Sequence, residues 1–162
     1  MDATDGAIAS SPFEAVLGER PELLERYRAF YLGLWHDGLV SHRILELCRL
    51  RIAFVHGAAQ EAAMLDASVA LSSTEMASLE RGDFSRFDKV ERAALELCEL
   101  LPFDHHAISD HQVAGLSEAL GAPGCVTLLT ALSFFDVTCR LKLLWDLPAE
   151  TMRMVLPGAV LH

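Results

Sequence analysis

Apolar residues recur at spacings of three and four along most of this chain. Leu23, Leu24, Tyr27, Phe30, Tyr31 and Leu34 form one such stripe, which predicts an amphipathic helix over 21–35. Arg20-Pro21-Glu22 reads as its start, because proline fits a first turn and an acid suits the positive end of the helix dipole. His36-Asp37-Gly38 reads as a turn. A second stripe holds Ile44, Leu45, Leu47, Cys48, Ile52 and Val55, interrupted by Glu46, Arg49 and Arg51. Ser41 is its natural N-cap and Gly57 its terminator. The next run, AAQEAAMLDASVAL, is rich in good helix formers and predicts another helix, folded back antiparallel to the one before it. With the turn near His56, Glu46 then comes level with Leu65, Leu50 with Glu61, and Arg51 with Gln60.

The remaining segments follow the same logic. Residues 12–18 suit a short helix, and Ser72-Ser73-Thr74-Glu75 opens another that closes at Gly82. SRFDKVERAALELCELL reads as a long helix ended by Pro102. Ser109 and Gln112 form a capping box for a helix over 110–120, and Gly121-Ala122-Pro123-Gly124 breaks it. The last helix, over 125–145, is apolar nearly all round, as expected of one buried in a core and at a subunit interface. The pattern therefore predicts an all-α fold of six to eight helices. A single domain spans 12–148, after a frayed terminus at 1–11 and before an apolar tail at 149–162 that suits docking on a partner subunit.

Composition narrows the function classes. Of 162 residues, 52% are apolar and 22% charged, which suits one folded domain with a real core. A net charge of −10 argues against a general binder of nucleic acid or anionic membranes. No uninterrupted apolar run reaches the ~18 residues of a membrane span, and MDATDGAIASS lacks the basic-then-apolar order of a signal peptide. A cytoplasmic protein is the expectation. Cys48, Cys98, Cys125 and Cys139 lie far apart and read as reduced, structural thiols. His105, His106 and His111, with Asp104 and Asp110, read as a solvated loop before a capped helix rather than as a metal site. No cofactor or metal is expected.

The run ILELCRLRIAFVHGAAQEAAML resembles the core motif of the carboxymuconolactone decarboxylase and alkyl hydroperoxidase D superfamily. The closing segments FSRFDKVERAALELCELL and GAPGCVTLLTALSFFDVTCRLKLLWDLP are similar to that family's last helices, so the resemblance covers roughly residues 20–148. It implies an alkyl hydroperoxidase D-like helical bundle that assembles as a dimer, trimer or hexamer. The peroxidase branch carries a glutamate, an Asn-Gly step, Cys-x-x-Cys and a histidine. Those positions hold Glu46, His56-Gly57, Ala58 with Glu61, and Leu65. Thiol peroxidase chemistry needs a low-pKa thiolate and a resolving thiol, and neither alanine nor glutamate supplies one. The decarboxylase branch also lacks the cysteines and has a glutamate where Glu61 stands, but it too has a histidine at the position of Leu65.

The candidate chemistry is therefore proton transfer. Glu46 interrupts an apolar stripe, where a carboxylate is costly unless paired or protonated, and a raised pKa would suit a general acid or base. Its structural alternative is an ion pair with Arg49 or Arg43. Glu61 and His56 are the candidate assistants, although Glu61 also suits a helix start and His56 a helix end. Along a straight helix His56 lies roughly 15 Å from Glu46, so only a fold-back or a second subunit brings the two together. Tyr31, Trp35, Arg49, Gln60, Met64 and Leu65 are the candidate substrate-binding residues, forming a greasy pocket. The resulting expectation is a cofactor-independent decarboxylase, isomerase or eliminating lyase. Its substrate would be a small hydrophobic carbonyl compound, lactone or organic acid. The alternative is a catalytically silent, small-molecule-binding or scaffolding homo-oligomer.

Overall fold

The stripes fold as helices in a computed structural model that describes residues 11–148. Among the described residues there are seven α-helices: α1 (Pro12–Leu17), α2 (Pro21–His36), α3 (His42–His56), α4 (Ala59–Ala62), α5 (Ser73–Arg81), α6 (Lys89–Leu100) and α7 (Asp110–Leu144). One 3-10 turn, His105–Ala107, lies between the last two. The architecture is all-α. Residues 1–10 and 149–162 lie outside the described part, and with them the expectations of a frayed start and a docked tail. Ser11 was expected to belong to the frayed start. Instead its hydroxyl accepts from Glu14 N at 3.2 Å and caps α1.

Helix α3 is the central element. Every residue from Leu45 to Ala53 is buried, because α3 is covered on two sides. On one side Leu45, Cys48 and Ile52 meet Trp35, Ala94, Leu97, Cys98, Leu128, Leu132 and Phe135. On the other, Leu47 and Leu50 meet Leu79, Phe87 and Leu95. Burying such a side chain fully contributes about 1.5–3 kcal/mol, so these two clusters hold the fold. A helix covered on both sides takes its polar residues inside as well. This is how Glu46, Arg49 and Arg51 come to be buried.

Most helix ends follow the local sequence. Ser41 Oγ accepts from Ile44 N at 3.3 Å, and Gly57 closes α3 in the left-handed region at φ 65°. Capping boxes open α5 at Ser72/Glu75 and α7 at Ser109/Gln112. A third, Asp88/Glu91, starts α6 at Lys89, four residues later than the apolar pattern alone suggests. Two acids three apart compete well for the free N–H groups of a first turn, which fixes that start.

The largest departure concerns the helix expected after Gly57. Only four residues, Ala59–Ala62, are helical, and the chain then returns along α3 in irregular form. The reason is that side chains have taken the backbone groups a helix would use. Arg49 donates to the carbonyls of Glu61 and Met64, and Glu46 accepts from the N–H of Asp66. Asp66 itself accepts from Ser68 N at 2.8 Å in a local turn. The fold-back register survives nonetheless: Glu46 meets Asp66, one residue beyond the predicted Leu65.

Helix α7 carries the expected break as a kink. Gly121, at φ 73° and ψ 161°, interrupts an otherwise continuous 35-residue helix, and Pro123 sits just beyond it. By length and composition α7 is apolar enough to cross a membrane. It passes on average hydropathy alone, because its scattered polar residues interrupt every apolar run without lowering the mean enough. However, 39% of its most apolar stretch is buried inside the fold, where Leu128, Ala131, Leu132, Phe135 and Cys139 form much of the core.

Candidate functional site: a buried quartet of charges

Glu46 and Arg49 stand one turn apart on α3 and therefore share a face. Each is only 1% exposed. Arg49 Nε and Nη2 donate to the two oxygens of Glu46 at 2.8 Å each, a bidentate pair. Nη1 donates to Glu61 Oε1 at 2.7 Å and to the Glu61 carbonyl at 2.8 Å, and Nη2 also donates to the Met64 carbonyl. All five guanidinium N–H bonds are thereby used. The second carboxylate oxygen of Glu61 accepts from Lys142 Nζ, which α7 brings in from the far end of the chain. Two carboxylates and two cations close into a neutral, buried quartet.

The electrostatics follow from the geometry. Burial pushes the Glu61 carboxyl up, but Arg49 and Lys142 outweigh it and hold the group at about 2. Burial works against the charge on Arg49, yet Glu46 and Glu61 raise its pKa well above the ordinary arginine value. Glu46 has both oxygens committed, and Oε1 takes a further bond from Asp66 N at 2.9 Å. A general base needs an accessible lone pair and an affinity for protons matched to neutral pH. Glu61 is far too weak a base, and Glu46 has no oxygen facing outward.

The other candidates are distributed around this quartet. Gln60 and Met64 line a shallow hollow together with Lys142, Phe13, Leu147 and Pro148. Its volume of about 10 Å³ is room for one water at most. Lys142 also lies 5.2 Å from the centre of the Phe13 ring. Tyr31 stacks on Tyr27 at 5.6 Å between ring centres, and burial raises its hydroxyl pKa. Trp35, expected to line a pocket, is wholly buried in the main core against Tyr31 and Phe135. Leu65 packs on the smaller core cluster. Arg49, expected to meet a substrate, has no donor left for one.

His56 is not brought to Glu46. Its Nε2 lies 2.6 Å from Asp136 Oδ1, and Arg140 Nε donates to the same oxygen at 3.0 Å. The chain folds back after His56, but α7 rather than Glu46 receives the ring.

Lys142 is the member that sequence reasoning missed. Its signal was present, because 128, 132, 135, 139 and 142 share one face of α7, and a lysine there must bury its charge or find an acid. Burial pushes the Cys98 thiol up and the Cys139 thiol up to about 12. These buried thiols are the opposite of an activated nucleophile. The rings of His105 and His106 lie 4.0 Å apart. Among the described residues, no three His, Cys, Asp or Glu side chains gather as a metal-holding group.

No protein-family model, curated protein or solved structure matches the chain.

Proposed function

We propose that this chain is a catalytically silent relative of the carboxymuconolactone decarboxylase and alkyl hydroperoxidase D scaffold, acting as a binding or scaffolding homo-oligomer. The observation that carries this reading is the saturation of Arg49. With all five donors used, the arginine occupies both carboxylates that proton transfer would need. By the resemblance, Glu46 and Glu61 stand where the scaffold keeps reactive groups, and here each serves as a counter-ion for the other's partner. Breaking such a buried pair costs more than it returns, which favours a fixed structural role.

A second reading has one observation in its favour. Lys142 lines the hollow with Gln60 and Met64, so a small carbonyl compound, lactone or organic acid would meet an ammonium there if side-chain movement enlarged a space that now holds one water at most. The two readings separate in one experiment. The protein is incubated in deuterium oxide with a panel of such compounds, and proton exchange or decarboxylation is followed by NMR. No exchange above the protein-free rate is expected. Turnover lost in a folded Glu61→Gln or Glu46→Gln variant would overturn the silent reading.

A further inference from the structure

Helix α1 lies over the hollow beside the quartet, and its Phe13 fills the space above Lys142. Of the six residues of α1, only Phe13 and Leu17 are buried. A helix of that length has no stability of its own. Its polar tie to α2 is a bidentate pair from Arg28 to Glu14, at 2.7 and 3.0 Å. The pair is exposed to solvent, where an ion pair contributes little. Phe13 is nonetheless only 3% exposed.

The slot around the Phe13 ring has the make-up of a ligand site, with aromatic walls and one charged group. Tyr27 meets the ring edge-on at 5.3 Å between centres, and Trp145 lies tilted against it at 5.6 Å. Lys142 supplies the charge, with Nζ 5.2 Å from the ring centre. One of the ammonium's N–H donors goes to Glu61. Among the described residues, the rest are offered only the Met64 sulfur at 3.9 Å, a weak acceptor, and the π-face of Phe13. This buried ammonium therefore keeps donors that no oxygen accepts. A ring bearing an oxygen would fill the same volume and also meet them. Charge decides which oxygen. The quartet is neutral as it stands, Glu46 and Glu61 against Arg49 and Lys142. An anion would put a third negative group beside Glu61, and a cation would face Lys142. A neutral carbonyl adds an acceptor and no charge.

We infer that α1 is a displaceable lid and that Phe13 holds the place of a small, neutral aromatic carbonyl compound. The ligand's ring would lie against Tyr27 and Trp145, and its oxygen would accept from Lys142. Such a site rests on the proposed binding role and needs no turnover. The ligand competes with Phe13, so its apparent affinity is the intrinsic one reduced to the fraction of molecules with the lid open. Two substitutions then raise affinity for different reasons. Phe13→Ala empties the slot, whereas Arg28→Ala frees the lid and leaves the ring in place.

The probe is para-fluoroacetophenone, followed by fluorine NMR against the wild type and each variant. Phe13→Ala should bind it at least about ten-fold tighter than the wild type. Arg28→Ala should bind it about two- to five-fold tighter, the change that one exposed ion pair allows. Arg28 is an exposed side chain, so its variant decides the lid even where Phe13→Ala is unfolded. Within either variant para-fluorotoluene, which lacks the carbonyl, should bind about ten-fold more weakly, and para-fluorobenzylammonium should not bind. In the wild type, saturating ketone should speed exchange of the Ala15 amide, which is bonded to the Ser11 carbonyl at 2.8 Å. Equal affinity in all three proteins would overturn the lid and leave the binding role standing. Binding in none of them would overturn both. Equal affinity for the ketone and the toluene would remove Lys142 from the site and sink the ligand class.

Discussion

Arg49 decides what the neighbouring acids can do. Replacing it with methionine leaves two carboxylates and Lys142 to share an interior built for neutrality, and loss of one partner from a buried pair costs about 3–5 kcal/mol. The expected outcome for Arg49→Met is a fall of that size in unfolding free energy by urea denaturation, with no separate effect on any activity. A loss below about 1 kcal/mol would mean that the quartet is not the structural unit described. Acid should attack the same residues. Burial raises the Glu61 carboxyl, but Arg49 and Lys142 hold it at about 2. Glu75 is held there by Arg43 and by Ser72. A carboxyl lowered in the folded state contributes stability above its ordinary 4.5 and loses it as pH falls through the folded value. The urea midpoint should therefore drop between pH 4.5 and 2, and drop less steeply in Glu61→Gln. At this scale the Glu46–Arg49 pair was legible, since three residues along a helix bring two side chains to one face. Lys142 was not, because its partner lies 81 residues away.

The helices were mostly readable because their ends are encoded locally, by Ser41, Ser72, Ser109 and the glycines that follow. The segment after Gly57 was not, although its composition favours a helix throughout. Propensity differs by only tenths of a kcal/mol per residue, whereas charged hydrogen bonds to buried groups are worth about 1.5–3 kcal/mol each. Arg49 and Glu46 therefore outbid the helix for the backbone of 61–66. At the kink of α7, Gly121 holds a backbone conformation open only to glycine. Gly121→Ala should lower stability by about 1–3 kcal/mol, read as a lower melting temperature with helix content nearly unchanged. A neutral substitution would place the bend elsewhere. Gly124 is constrained differently, since an added Cβ would come within 3.0 Å of the Leu39 carbonyl oxygen.

For the molecule as a whole, the outer face of α7 is unusually apolar. Val126 is 65% exposed and Leu144 77%, with Val137 between them at helical spacing. Such a face on a chain of net charge −10 suits contact with a second copy. Sedimentation should report a species larger than one chain, and Val126→Glu with Val137→Glu should shift it to the monomer while helicity is retained. A wild-type monomer at micromolar concentration would remove the oligomer from the proposed function.

The sequence alone determined that this is a helical chain, where most helices start and stop, and which carboxylates are anomalous. Periodicity, caps and glycines act within a few residues, so they can be read in one pass. Only the tertiary structure decided whether those carboxylates face a substrate or a cation. That depended on α7 delivering Lys142 to Glu61 and Asp136 to His56, and on α3 being covered from two sides. The physical reason is that a charge buried by distant segments takes whichever partner the fold brings within hydrogen-bond reach.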